Sequence, residues 1–197
     1  VTIISDEIHC ELVYPGYFYT PFASISDDFL QNSVTCISPS KAFNIAGLQI
    51  ANIVCADELI KSKIDRAIND NEVCDVNPFG VIATQAAYNE GEEWLTQLIE
   101  YLHNNYFYMK AFCQENLPMY PIATLEGTYL VWMDCRAIGL SSEKLEQKLI
   151  DKAKLWLNAG TIYGTDGEGF MRWNIACPRA TLKVGLERFT DFVHKLR

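Results

Sequence analysis

Lys41 closes the short turn Ser38-Pro39-Ser40-Lys41-Ala42-Phe43-Asn44, directly after the apolar run Val34-Thr35-Cys36-Ile37. An ammonium at the end of a buried strand is costly to desolvate. One use for it there is as an amine nucleophile toward a carbonyl. The hydroxyls of Ser38 and Ser40 beside it suit a phosphate. The same stretch also reads as a surface turn with a solvated lysine. Two further charges lie at or within apolar strands. Asp6 closes the run Val1–Ser5, and Arg172 lies inside Phe170-Met171-Arg172-Trp173-Asn174-Ile175-Ala176. A buried charge needs a partner. Acid, amine and guanidinium facing one cleft make sense where a ligand supplies the missing charges.

Pyridoxal 5'-phosphate (PLP) with an amino-acid substrate would supply them. The acid would keep the pyridine nitrogen protonated and make the ring an electron sink. The lysine would bind the aldehyde and later move the substrate's α-proton. The guanidinium would take the α-carboxylate as a bidentate pair.

The elements that must hold these residues follow from hydrophobic periodicity. Val1–Ser5 reads as a strand buried on both faces of a parallel sheet, with Asp6 and His9 at its C-terminal end, where ligands sit in open α/β sheets. Residues 14–28 read as loop, 34–37 and 50–56 as strands, and Asp57 as the cap of a helix reaching about Ile68. Residues 79–115 are helical with a break near Asn89–Gly91, and Leu95, Leu98, Ile99 and Leu102 lie at helical spacing in the second part. A strand spans 124–134, and Ser141-Ser142-Glu143-Lys144-Leu145 starts a helix with a capping serine. The strand through Arg172 precedes a closing helix with Leu182, Leu186, Phe189 and Val193 on one face. No internal repeat or low-complexity segment occurs.

Composition bounds the function. The 197 residues are 49% hydrophobic and 21% charged, which is ordinary for a globular protein with a sizeable core. A net charge of −9 without a basic cluster argues against nucleic-acid binding. No apolar run is long enough for a membrane span. The seven scattered cysteines form no Cys-x-x-Cys pair and the three histidines lie far apart. That suits free thiols in a reducing, cytoplasmic compartment, and nothing suggests a metal site. The chain starts in mid-strand, without methionine or a charged leader, as expected of a piece of a longer protein.

Four segments carry a family resemblance: Ser5-Asp6-Glu7-Ile8-His9, Ser38-Pro39-Ser40-Lys41-Ala42-Phe43-Asn44-Ile45-Ala46-Gly47-Leu48, Glu126-Gly127-Thr128-Tyr129-Leu130 and Gly169-Phe170-Met171-Arg172-Trp173-Asn174-Ile175-Ala176-Cys177-Pro178-Arg179. Their set and order resemble the PLP-dependent class I/II aminotransferase superfamily of fold type I, most closely its cystathionine β-lyase and cysteine-S-conjugate C–S lyase branch. The resemblance implies Asp6 on the pyridine nitrogen, Lys41 as the Schiff-base lysine, Ser38 and Ser40 on the phosphate, and Arg172 on the α-carboxylate. It places His9 near the cofactor's phenolic oxygen. There many aminotransferases carry tyrosine, while the lyase branch commonly has histidine. Gln49, eight residues past Lys41, stands where aminotransferases often have a phosphate-binding arginine, which also fits the lyase branch. The family's N-terminal half, with its Gly-rich phosphate turn, has no counterpart here.

The expected fold is α/β: the C-terminal part of a fold type I PLP-dependent large domain plus an α+β small C-terminal domain. The expected divisions are 1–78, bridging helices over 79–118, and 119–197. The expected activity is C–S β-lysis of a sulfur-containing amino acid, with the whole enzyme a homodimer and this portion inactive alone. An aminotransferase is the alternative, and a protein that only binds partners is a third reading. Bland roles stand beside these: Asp6 or Ser40 as a cap, His9 as a structural imidazole, and Tyr14, Tyr17, Phe18 and Tyr19 as a loop packed on the core or at a subunit contact. Arg179 reads as a surface ion pair or a second carboxylate binder. Cys10 and Cys177 read as small buried residues.

Overall fold

The computed structural model describes residues 1–196. The chain divides into two compact units, Val1–Ile99 and Glu100–Arg197.

The first unit holds a three-stranded sheet in the order β1 (Ile3–Asp6), β2 (Ser33–Ile37), β3 (Asn52–Val54). β1 runs parallel to β2, with Ile3 level with Ser33 and Asp6 level with Cys36, while β3 is antiparallel to β2. Short helix α1 (Asp27–Gln31) makes the crossover, capped by Ser26, whose hydroxyl accepts the Phe29 N–H. α2 (Glu58–Asp70) follows β3, and Asp57 caps it by accepting the Ile60 N–H at 2.7 Å. α3 (Pro78–Glu90) starts on a proline, whose missing N–H costs nothing at that position. Gly91 separates it from α4 (Glu92–Asn116).

The expectation that β1 is buried on both faces is corrected. Ile4 is 73% exposed and Ile3 38%. Among the described residues β1 is an edge strand whose outer edge pairs with nothing, and no helix covers Ile4. The interior of this unit is Val34, Ala42, Leu12 and Tyr14. The loop at 14–28 is therefore partly core: Tyr14 is fully buried, while Phe18 is exposed.

The second unit is an antiparallel sheet in the order β4-β6-β5, formed by β4 (Leu130–Asp134), β5 (Asn158–Ala159) and β6 (Phe170–Asn174). The expected strand over 124–134 begins only at Leu130, because Thr128 takes a left-handed φ of 60° that a ladder does not accept. α4 contributes its buried stripe Leu102, Asn105, Tyr106, Met109 and Cys113. α5 (Ser142–Lys148) passes into a π turn over Leu149–Ala153. α6 (Arg179–Leu196) buries Leu182, Leu186, Phe189 and Val193, the face its periodicity predicts. Met133, Met171, Trp173 and Phe189 are central to this core.

Candidate active site

Asp6 and the Lys41 turn occupy the same edge of the first sheet. β1 and β2 are parallel neighbours, so their C-terminal ends coincide, and the Glu7 N–H donates to Cys36 O at 2.9 Å just past Asp6. Asp6 is exposed, and one of its carboxylate oxygens accepts the Ile8 N–H at 3.2 Å. The chain then coils through His9, which is half-buried, with Leu12 N–H bonded to His9 O at 3.0 Å.

The turn after β2 is fixed from several sides. The Ser38 hydroxyl donates to Ile50 O at 2.6 Å and accepts the Ser40 N–H at 3.1 Å. Phe43 N–H bonds Pro39 O and Ile45 N–H bonds Ser40 O, which winds the backbone around Lys41. Ala42 is wholly buried, and the Trp94 indole N–H holds its carbonyl at 3.2 Å. A side chain at Gly91 would overlap the Phe43 ring, so glycine there leaves room for the turn. Lys41 itself is half-buried and pairs with no carboxylate among the described residues. Ser38 and Ser40 are buried, and the Ser38 hydroxyl proton is committed within the turn. Gln49 is exposed in a left-handed conformation after a 3-10 turn.

Glu7, which the sequence reading left without a role, fastens the aromatic loop to this edge. It is buried, and its carboxylate accepts from the Ser5 hydroxyl at 2.9 Å, the Phe22 N–H at 3.0 Å and the Tyr19 hydroxyl. Burial opposes its charge, yet these bonds win and hold its carboxyl below the usual value. Burial first, then Glu11 and Glu7, push the Cys10 thiol up to about 12.

Arg172 belongs to the second unit. On β6 it alternates with Met171 and Trp173, which are buried. Arg172 points the opposite way, half-buried, level with Trp132 on β4 and Asn158 on β5. Its Nη2 donates to Asn158 Oδ1 at 3.1 Å, and its guanidinium carbon lies 4.3 Å from the Tyr163 ring centre. Burial raises the Tyr129 hydroxyl above its ordinary value, and the nearby Arg172 charge partly opposes this. No carboxylate pairs with Arg172 among the described residues.

Arg179, read from the sequence as a surface ion pair or a second carboxylate binder, forms no ion pair among the described residues. Its Nε donates to Asn105 Oδ1 at 2.7 Å, and its guanidinium lies 4.6 Å from the Tyr108 ring centre. Glu7, Trp94, Asn158 and Tyr163 were all missed by the sequence reading. Glu7 sits inside a quoted motif, whereas Trp94 reaches Ala42 across 52 residues and leaves no local signal.

The family model described as Aminotransferase class I and II matches residues 1–189. A cystathionine beta-lyase, PatB, of Bacillus subtilis is 46% identical over 188 residues, which is 95% of this chain and 49% of that protein. Cystalysin from Treponema denticola, whose crystal structure contains a pyridoxal 5'-phosphate cofactor, superposes with a TM-score of 0.93 at 32% identity, covering 100% of this chain and 50% of that one. The PLP-bound C–S lyase of Staphylococcus hominis superposes with a TM-score of 0.87 at 35% identity, covering 98% and 50%. The chain thus spans about half the length of the relatives it matches.

Proposed function

We propose, for a chain that belongs to the aminotransferase class I and II family, that the whole protein is a PLP-dependent carbon–sulfur β-lyase. The observation that carries the reading is the shared sheet edge: a carboxylate at the end of β1 and an amine just past the end of its parallel neighbour β2, neither in a salt bridge among the described residues. That donor set fits the cofactor, which needs an anion for its pyridinium nitrogen and an amine for its aldehyde. The buried hydroxyl of Ser40 suits its phosphate. Ser38 could serve there only by giving up its bond to Ile50 O. When bound, the cofactor supplies an electron sink for the substrate's Cα electrons.

The roles of the chain's own residues follow. Asp6 keeps a proton on the pyridine nitrogen by its negative charge. Lys41 holds the aldehyde and then takes the substrate's Cα proton, the two tasks of a positioned amine. His9, just past Asp6, would hold the phenolic-oxygen side of the cofactor. Arg172 receives the α-carboxylate through its unpaired N–H donors. The substrate is cystathionine or another L-cysteine conjugate. Loss of the Cα proton and cleavage of the Cβ–S bond release a thiol. Water then converts the remaining three carbons to pyruvate and ammonia.

The same proposal assigns 1–78 to the cofactor domain, 79–118 to bridging helices and 119–197 to the small domain. It makes the whole enzyme a cytoplasmic homodimer. Seven free cysteines suit a reducing compartment, and no helix among the described residues is long and apolar enough to cross a membrane. An aminotransferase differs in its outcome, because it leaves the Cβ–S bond intact and needs a keto-acid acceptor. Incubating the whole protein with cystathionine and no keto acid tests the assignment. Steady pyruvate release supports the lyase. Conversion only after a keto acid is added overturns it in favour of transamination.

A further inference from the structure

We propose that Asn158 and Tyr163 are positioning residues that fix the Arg172 guanidinium for a substrate α-carboxylate, an inference that rests on the carboxylate-binding reading of Arg172. A guanidinium on a flexible stem can turn about its last bonds, and two contacts remove that freedom here. The Tyr163 ring, 4.3 Å from the guanidinium carbon, sets the plane in which the fork lies. The Asn158 amide oxygen, 3.1 Å from Nη2, sets its rotation within that plane. One nitrogen is thereby used, and Nε and Nη1 keep donors for a ligand.

The props are themselves held. Trp132 packs its ring edge-on against Tyr163, with ring centres 5.5 Å apart at 80°, and Trp132 is also level with Arg172 across the β4–β6 ladder. Asn158 is level with Arg172 on the other side, through β5. The turn carrying Tyr163 is bolted at both ends. The backbones of Gly160 and Gly167 approach so closely that a side chain on either would overlap the other. The wholly buried Ser142 accepts the Gly169 N–H at 2.8 Å and shares its own proton between the Gly167 and Phe170 carbonyls. The Ser142 N–H in turn donates to the Glu168 carboxylate at 3.0 Å. A fork held this way loses little freedom when a carboxylate arrives, which is how preorganisation raises affinity.

The test uses the whole protein loaded with its cofactor, and L-alanine, an amino acid with no leaving group on Cβ. Ethylamine, its counterpart without the carboxylate, is the control. Both are titrated by their effect on the cofactor spectrum. Asn158→Ala and Tyr163→Leu should each weaken L-alanine binding by roughly 3- to 30-fold, the range a stacked cation or a charge-assisted hydrogen bond supplies. Ethylamine binding should be unchanged. Tyr163→Phe, which keeps the ring face, should bind L-alanine like the wild type. Should Tyr163→Leu fail to fold, the Asn158→Ala arm decides. If Arg172→Lys weakens L-alanine but Asn158→Ala and Tyr163→Leu do not, the positioning inference alone is overturned. If Arg172→Lys also leaves L-alanine untouched, the carboxylate reading of Arg172 fails and takes the inference with it.

Discussion

Glu7 accepts the Phe22 N–H at 3.0 Å, a bond between residues fifteen apart in sequence that ties the aromatic loop to the end of the strand carrying Asp6. Glu7→Ala strands that N–H and the Ser5 and Tyr19 hydroxyls, and should cost roughly 1–3 kcal/mol. The effect has a pH signature. The folded carboxyl titrates below its ordinary 4.5. Its stabilisation is therefore complete above that value and disappears as pH falls through the folded value. Urea midpoints of wild type and Glu7→Gln should differ near neutrality and converge as the pH falls through the folded carboxyl's lowered value. A gap that stays constant however far the pH is lowered within the folded range would count against the charge of Glu7 as the anchor.

Lys41 carries the second prediction. Lys41→Ala in the whole protein should lower cystathionine cleavage by at least roughly 10²- to 10⁴-fold, the range of a lost proton-transfer group. The cofactor should then be removable by dialysis, since its covalent hold is gone. The present 197-residue chain should retain cofactor weakly and show no turnover. Brisk pyruvate release by this chain alone would contradict the role given to the other half.

Much of this was legible in the sequence because the signals were local. Asp57 and the Ser141-Ser142 pair announce helix starts by side-chain type, and Asp57 and Ser141 each accept a first-turn backbone N–H. Leu182, Leu186, Phe189 and Val193 repeat at helical spacing and are buried together. Asp6 and Lys41 reach one edge because each follows an apolar run, and parallel pairing places both ends together. What failed depended on partners distant in sequence. The apolar run of β1 reads as fully buried, but burial needs a packed layer over each face, and among the described residues Ile4 remains 73% exposed. Asn158 and Tyr163 lie in a segment without a hydrophobic period. The register of β5 against β6 brings Asn158 level with Arg172, and the turn after β5 brings Tyr163 over it.

Asn105 is the third case. It is wholly buried on α4, its Nδ2 donates to Ile175 O at 2.9 Å and Cys177 O at 3.0 Å, and its Oδ1 accepts from Arg179. It therefore pins the chain just after the strand that carries Arg172. Asn105→Leu leaves two carbonyls and a guanidinium nitrogen unmet and should cost roughly 3 kcal/mol. Asn105→Asp keeps the bond from Arg179 but turns an acceptor oxygen toward both carbonyls at a wholly buried site, so it too should be less stable than wild type. Thermal unfolding of both variants checks this. An Asn105→Leu protein as stable as wild type would show that the pin is not needed.

The cysteines give a prediction that needs no cofactor. Cys74 is exposed, whereas Cys113 and Cys135 are buried. Cys10 is only half-buried, so accessibility alone would let it react. Its thiol is nevertheless pushed up to about 12, first by burial and then by the Glu11 carboxylate, which accepts its S–H, with Glu7 adding to the effect. Alkylation requires the thiolate. At about pH 7.5 a thiol so raised holds roughly a thousandth or less of the thiolate of a free cysteine. Timed iodoacetamide labelling read by mass spectrometry should therefore modify Cys74 well before Cys10. Glu11→Gln removes a charge and should speed Cys10. It should not speed Cys113, whose thiol is raised to about 12 by burial alone. If Cys10 labels as fast as Cys74 in the wild type, neither burial nor the two carboxylates hold its thiol protonated. If Glu11→Gln speeds Cys10 and Cys113 alike, the substitution has loosened the fold rather than removed a local charge.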